Sequence, residues 1–316
     1  MTRGRAARAH ENGAGDDAEV LAIGETMVVV HPARAEPLES ATEFRLGVGG
    51  AESNVAAHLA ATGIRSAWAS AVGDDPLGRR VLAALARSGV DTSLVRVDGE
   101  RSTGVYFKDP GAGVHYYRAG SAAAGLDASF AAGLPLGVVP WVHLSGITAF
   151  LSPGGAALLD AVFDARRAAG LPVSFDVNHR PALRSAAAAA GKLRELASRA
   201  DLVFVGRDEA ERLWGTPTAR DIRDLLPGAR LVVKDGDVGA HLFDRGREWF
   251  VPSREVEVVE PVGAGDAFAA GFLAATLAGA PPEGALDAGH EQAARILGSM
   301  SDAGDSVLEP ARPVAG

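Results

Sequence analysis

WVHLSG (141–146), GGAALLDAVFDARRAAG (154–170) and PVSFDVN (172–178) follow one another in the chain and decide the fold. The first and third are short apolar runs without polar alternation, as strands buried on both faces read. The middle one is a helical stretch that stops at a glycine. Strand, helix and strand in that order make a βαβ unit, whose two strands run parallel. Working outward, the same grammar repeats. VLAIG (20–24), SAWASAVG (66–73), DLVFVG (201–206) and LVVKDG (231–236) read as strands, and SNVAAHLAATG (53–63) and GRRVLAALARSG (78–89) as helices with glycine stops. The pattern predicts an α/β fold with a doubly wound, mostly parallel sheet.

The chain has 316 residues, with 31 Lys+Arg against 40 Asp+Glu, a net charge of −9, and no Cys. The acidic balance excludes a general nucleic-acid binder. The missing Cys excludes disulfides, thiolate metal sites and a Cys nucleophile, and agrees with a cytoplasmic location. No uncharged apolar run reaches the roughly 18 residues of a membrane span. Residues 1–18 (MTRGRAARAHENGAGDDA) are polar and lack an apolar core after the arginines, so they read as a disordered tail rather than a secretory signal. One domain over 19–316 is expected to follow.

Two stretches break the alternation. PLESATEFRLG (37–47) and RSTGVYFKDPGAGVHYYR (101–118) read as short strands with turns, the second a hairpin around Asp109-Pro110-Gly111. They are predicted to form a small separate β-sheet, from about 31–47 and 101–118, acting as a lid over the strand ends.

EPVGAGDAFAAGFLAATLAG (260–279) carries the strongest chemical signal. Gly263, Ala264 and Gly265 precede a helix, so backbone N–H groups and about half a positive charge of helix dipole can converge on an anion. Asp266 in the first turn would repel that anion, unless it handles a hydroxyl proton while the amides hold a transferring phosphate. A plain alternative is a glycine turn with Asp266 as helix cap. The turn is not a P-loop, since no Lys-Ser/Thr follows, nor a dinucleotide fingerprint, since Phe268 takes the third glycine position. No G-x-S-x-G or H-E-x-x-H is present. GVGGAESNVAAHLAATG (47–63) is a second glycine-opened helix, with Gly49, Gly50 and Asn54 at its start.

The G-G-x-x-x-N-x-A segment near residue 50, Gly73-Asp74-Asp75 with Gly78, and GAGD near residue 265 together resemble the ribokinase-like (PfkB) carbohydrate kinases, over residues 20 to about 300. The resemblance implies one doubly wound domain with a β lid, and ATP and Mg²⁺ as cofactors. Asp266 would take the substrate hydroxyl proton, and Gly263, Ala264 and Gly265 would hold the γ-phosphate. Gly49, Gly50 and Asn54 would contact sugar. Lys234, Asp235, Gly236 and Gly239 match the segment beside the nucleotide. Glu209 matches the residue near the Mg²⁺ water shell, although Gly206 replaces the family's Asn. Glu260 replaces a shorter Asp linked to a monovalent cation, which puts that cation in question. GHEQAARILGSMSDAGDS (289–306) matches the adenine side only loosely. Lid pairing into a homodimer or higher homo-oligomer is a further implication.

HYYRAGSAA (115–123), HLSGIT (143–148) and FDVNHRPAL (175–183) look like the 2-keto-3-deoxygluconate kinase branch. That resemblance implies sugar-acid contacts from Tyr106, Tyr116, Arg118 and Arg180. Independently, two arginines near a sugar site suit a carboxylate, which pairs well with a guanidinium fork. The expected activity is transfer of the γ-phosphate to a primary hydroxyl of a keto-deoxy sugar acid. A fructokinase or other ketose kinase, and a non-catalytic sugar or nucleotide sensor, are the alternatives. His143, His179 and His290 read as structural.

Overall fold

In the computed structural model, thirteen strands appear among the described residues, which are 15, 17–256 and 262–297. Most of the expected N-terminal tail, Glu260 and the end of the 289–306 stretch lie outside the described residues. The strands are β1 (Val20–Ile23), β2 (Met27–Pro32), β3 (Phe44–Gly49), β4 (Ser66–Gly73), β5 (Val95–Asp98), β6 (Val105–Asp109), β7 (Gly113–Tyr117), β8 (Trp141–Ser145), β9 (Val173–Asp176), β10 (Leu202–Gly206), β11 (Arg230–Asp235), β12 (Gly239–Asp244) and β13 (Arg247–Pro252).

The large sheet runs β13-β12-β11-β10-β9-β8-β1-β4-β5, parallel from β11 to β5, with β12 and β13 antiparallel at one edge. Its central strands are apolar on both faces because both are covered. Along β10, Leu202 and Phe204 join Val55, Leu59 and Phe272 on one side, while Val203 and Val205 join Phe175, Leu158 and Leu193 on the other. A side-chain period of two therefore feeds two helical layers. The helices start and stop where local chemistry directs. Pro153–Ala169 has Ser152 as N-cap, accepting from the Gly155 N–H, and ends at Gly170 with φ +65°.

The small sheet has the order β3-β2-β6-β7. It borrows more chain than the sequence suggested. β2 begins at Met27, ahead of the expected boundary near 31, and residues 37–43 are turns and irregular chain rather than strand. MVVV hid its role by being apolar on both sides. Met27 and Val29 pack with Tyr106, whereas Val28 and Val30 pack toward Val81 and Leu85 of helix Pro76–Arg87. The hairpin about Asp109-Pro110-Gly111 forms as expected.

The Gly73-Asp74-Asp75 segment explains how the sheets are joined. Asp75 caps helix Pro76–Arg87, accepting from the Gly78 N–H at 2.7 Å. Its other oxygen accepts from the Thr103 N–H at 2.8 Å, and the Thr103 hydroxyl accepts from the Gly73 N–H at 3.0 Å. One carboxylate thus fixes the end of β4 to the chain that enters β6.

Candidate active site

All the parallel strands deliver their carboxyl ends to one edge of the large sheet, and the small sheet stands over it. That edge is where open α/β sheets bind ligands. Two cavities lie there. One, of about 500 Å³, is lined from both sheets; the other, of about 680 Å³, lies between β12 and the helices Ala264–Leu277 and Pro282–Leu297. Lys234 and Gly265 line both, so the cavities meet at the glycine turn.

At that turn Gly263 has φ +87°, a conformation glycine adopts without strain, and no side chain caps the helix it opens. The first-turn amides therefore remain available to a ligand. The capping alternative for Asp266 is excluded: its carboxylate accepts from Asn54 Nδ2 at 2.8 Å, across 212 residues of chain. Helix Ala51–Ala61, which carries Asn54, is also without a side-chain cap, and Gly50 stands at its start. A Cβ at Gly50 would lie 2.4 Å from the Glu25 carbonyl oxygen, so only glycine fits.

Asp266 is 8% exposed. Burial pushes its carboxyl up to about 7, although the Asn54 hydrogen bond and the nearby Arg180 charge pull the other way. Lys234 Nζ donates to Asp176 Oδ2 at 2.8 Å. Burial alone would lower the lysine, but the Asp176 charge and hydrogen bond outweigh it and hold Lys234 above its ordinary value. Glu209 is raised by burial and by the Asp176 charge. Its two oxygens accept from the His179 and Gly206 backbone N–H groups. Asn178 takes φ +41° in the loop that presents His179 and Arg180.

Facing this array, Tyr106 and Tyr116 sit with ring centroids 5.7 Å apart. The Arg118 guanidinium lies over Tyr116 at 5.3 Å. Its Nε donates to Glu25 Oε2 at 2.6 Å, and Nη2 pairs with the same oxygen. Ser121 Oγ donates to the other Glu25 oxygen at 2.7 Å. Ile147 enters on the loop after β8, where Ser145 and Thr148 hydroxyls donate to buried Glu52 at 2.7 and 3.1 Å.

The structure thus brings Gly49, Gly50, Asn54, Tyr106, Tyr116, Arg118, Arg180, Glu209, Lys234, Gly263, Gly265 and Asp266 to the first cavity. Gly236, Gly239 and Ala264 line the second. Asp235 corrects the sequence reading: it lines neither cavity, and its carboxylate accepts from Arg207 Nε at 2.7 Å. Strand alternation turns it away from the face that Lys234 uses. His290, read as structural, lies 3.1 Å through Nε2 from the Val251 carbonyl oxygen; it also lines the second cavity, edge-on to Phe268 at 5.1 Å. Glu25 was missed altogether. The one available signal was a carboxylate directly after a strand ending in glycine.

No group of three or more His, Asp or Glu able to hold a metal occurs among the described residues. Glu209, with both oxygens already accepting amides, suits the water shell of a cation better than direct ligation.

Doubly wound sheet, small sheet and glycine turn together define a carbohydrate kinase, and residues 17–307 match the family described as pfkB family carbohydrate kinase. The chain belongs to that family. It is 35% identical to a Bacillus subtilis protein named 2-dehydro-3-deoxygluconokinase over 86% of this chain and 87% of that one. It is 32% identical to a Haloferax volcanii protein named 2-dehydro-3-deoxygalactonokinase, covering 88% and 90%. A crystal structure of a PfkB protein from Polaromonas sp. JS666 superposes with a TM-score of 0.79 at 36% identity, covering 88% of this chain and 95% of that one. No helix among the described residues is long and apolar enough to cross a membrane.

Proposed function

We propose that this chain is a cytoplasmic ATP-dependent kinase of 2-keto-3-deoxy sugar acids, with 2-keto-3-deoxygluconate (2-dehydro-3-deoxygluconate) as its substrate. The observation that carries the reading is Asp266: a buried carboxyl, pushed to about 7, beside uncapped helix amides at the junction of two cavities. A base poised near the working pH is efficient at proton transfer. The sugar occupies the first cavity with its primary hydroxyl against Asp266. The nucleotide occupies the second, with Gly236, Gly239, Phe268 and His290 around it. Asp266 accepts the hydroxyl proton as the oxygen attacks the γ-phosphorus, the bond to the β-phosphate oxygen breaks, and ADP leaves with that electron pair. Amides of Ala264 and Gly265 and the Lys234 ammonium face the charge that develops on the phosphoryl oxygens.

Glu209, whose oxygens both accept backbone amides, would help hold Mg²⁺ through water. When bound, the ion supplies charge neutralisation. Across the cavity Tyr106 and Tyr116 pack on the sugar, and Arg118 and Arg180 face its carboxylate. Relatives named for both gluconate- and galactonate-derived acids support the keto-deoxy acid class. The test is a coupled ADP-release assay comparing kcat/KM across both keto-deoxy acids, fructose, ribose and nucleosides. Preference for a keto-deoxy acid is the expected outcome; a higher kcat/KM for fructose reassigns the enzyme as a ketose kinase.

A further inference from the structure

Glu25 has no part in the phosphoryl transfer described above, yet it is a carboxylate in the wall of the sugar cavity. It is 3% exposed. Such a group opposes an acidic substrate unless something is gained from it. It sits between β1 and β2, where the chain leaves the large sheet for the small one, and its partners Arg118 and Ser121 sit where the chain returns after β7. Arg118 Nε and Nη2 both turn to Glu25 Oε2. These atoms form one edge of the planar guanidinium, so the remaining N–H groups are directed away from Glu25.

We propose that Glu25 is a specificity-determining residue of the sugar site, which aims Arg118 and offsets its charge. This inference rests on the sugar-acid reading above. Arg118 then works as an oriented donor with little net charge. The strong attraction for a carboxylate falls to Arg180, which is exposed and whose charge also reaches Asp266. A damped cation lets the product, which carries a phosphate as well as the carboxylate, leave the cavity. The competing explanation is a plain staple between the two ends of the small sheet.

The variant Glu25→Gln separates the two. Gln keeps the size, its amide oxygen can accept from Arg118, and its NH₂ can donate to Ser121 Oγ, so a staple survives while the charge is gone. A unit charge in the cavity wall, in a medium of intermediate dielectric, changes the affinity for a charged ligand by about tenfold. The expected result is a rise of about tenfold in the kcat/KM ratio of 2-keto-3-deoxygluconate over fructose, carried by a lower KM for the acid. Where fructose turns over too slowly, its dissociation constant from calorimetry replaces kcat/KM. An unchanged or lower ratio in a variant that melts like wild type overturns the proposal and leaves the staple.

A double-mutant cycle keeps the proposal testable if Glu25→Gln alone folds poorly. Arg118→Gln should depress the acid-to-neutral ratio, and Glu25→Gln/Arg118→Gln should recover most of that loss, because the pair it removes is neutral as a unit. No recovery overturns the proposal. A wild type that prefers fructose overturns the sugar-acid reading and this inference with it. A wild type that prefers the acid, combined with an unchanged ratio in Glu25→Gln, overturns this inference alone.

Discussion

The two walls of the first cavity are built on different principles. The large-sheet wall is a run of buried, interacting polar groups, Lys234 with Asp176, Glu209 on backbone amides and Asp266 with Asn54, all carried on strand ends and helix starts. The small-sheet wall carries the Tyr106 and Tyr116 rings and the Arg118–Glu25 ion pair. Charges that shift one another's protonation belong where a proton moves. Rings and a compensated pair belong where a neutral or singly charged substrate is recognised. Rate then belongs to the large-sheet wall, and selectivity to the small-sheet wall together with Arg180 from the loop after β9, and mutations should separate accordingly.

The largest effect is expected on the rate wall. Asp266→Asn should lower kcat by about 10²-fold or more while sugar and ATP affinities hold, as typical for loss of a general base. In wild type, kcat/KM should rise with pH through about 7, where Asp266 becomes ionised. Stability should move in the opposite sense. A carboxyl raised from its ordinary value to about 7 on folding loses protons first in the unfolded chain, so it destabilises the fold progressively between about pH 4 and 7. Asn removes that penalty, and Asp266→Asn should melt higher than wild type at neutral pH. Near-wild-type turnover in this variant sinks the assignment.

The two arginines stand on opposite walls, Arg118 after β7 and Arg180 on the loop after β9, and should behave differently. Arg180→Ala should cut kcat/KM for the acid by about 10- to 150-fold, the worth of a charge-assisted fork of roughly 1.5–3 kcal/mol, with a smaller loss for fructose. Arg118→Ala removes the cation paired with buried Glu25 and should destabilise the protein by about 3 kcal/mol, seen in denaturant unfolding. Its acid-to-neutral ratio should fall, as in Arg118→Gln, because unpaired Glu25 then opposes the substrate carboxylate, but by less than in Arg180→Ala. Equal selectivity changes from both variants would erase the distinction between the two arginines.

What was legible in the sequence follows the range of the interaction. The parallel sheet, the hairpin and the Gly263–Asp266 turn are local patterns, and each reads from neighbouring residues. β5 and β13 were missed because VRVD and REWFVP are partly exposed edge strands with weak apolar signals. The Glu25–Arg118 pair spans 93 residues and the Asn54–Asp266 bond 212, and no spacing rule encodes either. Resemblance supplied Asn54 and Asp266 as separate site residues, and the fold supplied the bond between them. Asp235 was assigned with its neighbours because a motif is a string, whereas a strand sends adjacent side chains to opposite faces.

The smallest effect concerns how freely the selectivity wall moves. Asp75 holds Thr103 to the large sheet, and Glu25 holds Arg118 and Ser121, so the small sheet is anchored at the residues flanking β6 and β7. β7 is an edge strand with alternate residues exposed, and its unpaired backbone groups face no neighbour in this sheet. Closure over a bound sugar should exclude water from the cavity, and amides of 105–117 should then exchange more slowly. Hydrogen exchange with saturating 2-keto-3-deoxygluconate and a non-hydrolysable ATP analogue should give a few-fold protection there and almost none in β8 or β9, which the core already protects. Asp75→Ala should speed exchange around Thr103 in the free protein and reduce ligand protection, because the anchor on the β6 side is released. Exchange in 105–117 that ignores both ligand and the Asp75 substitution would make the small sheet a fixed wall, and selectivity would then be set by its shape alone.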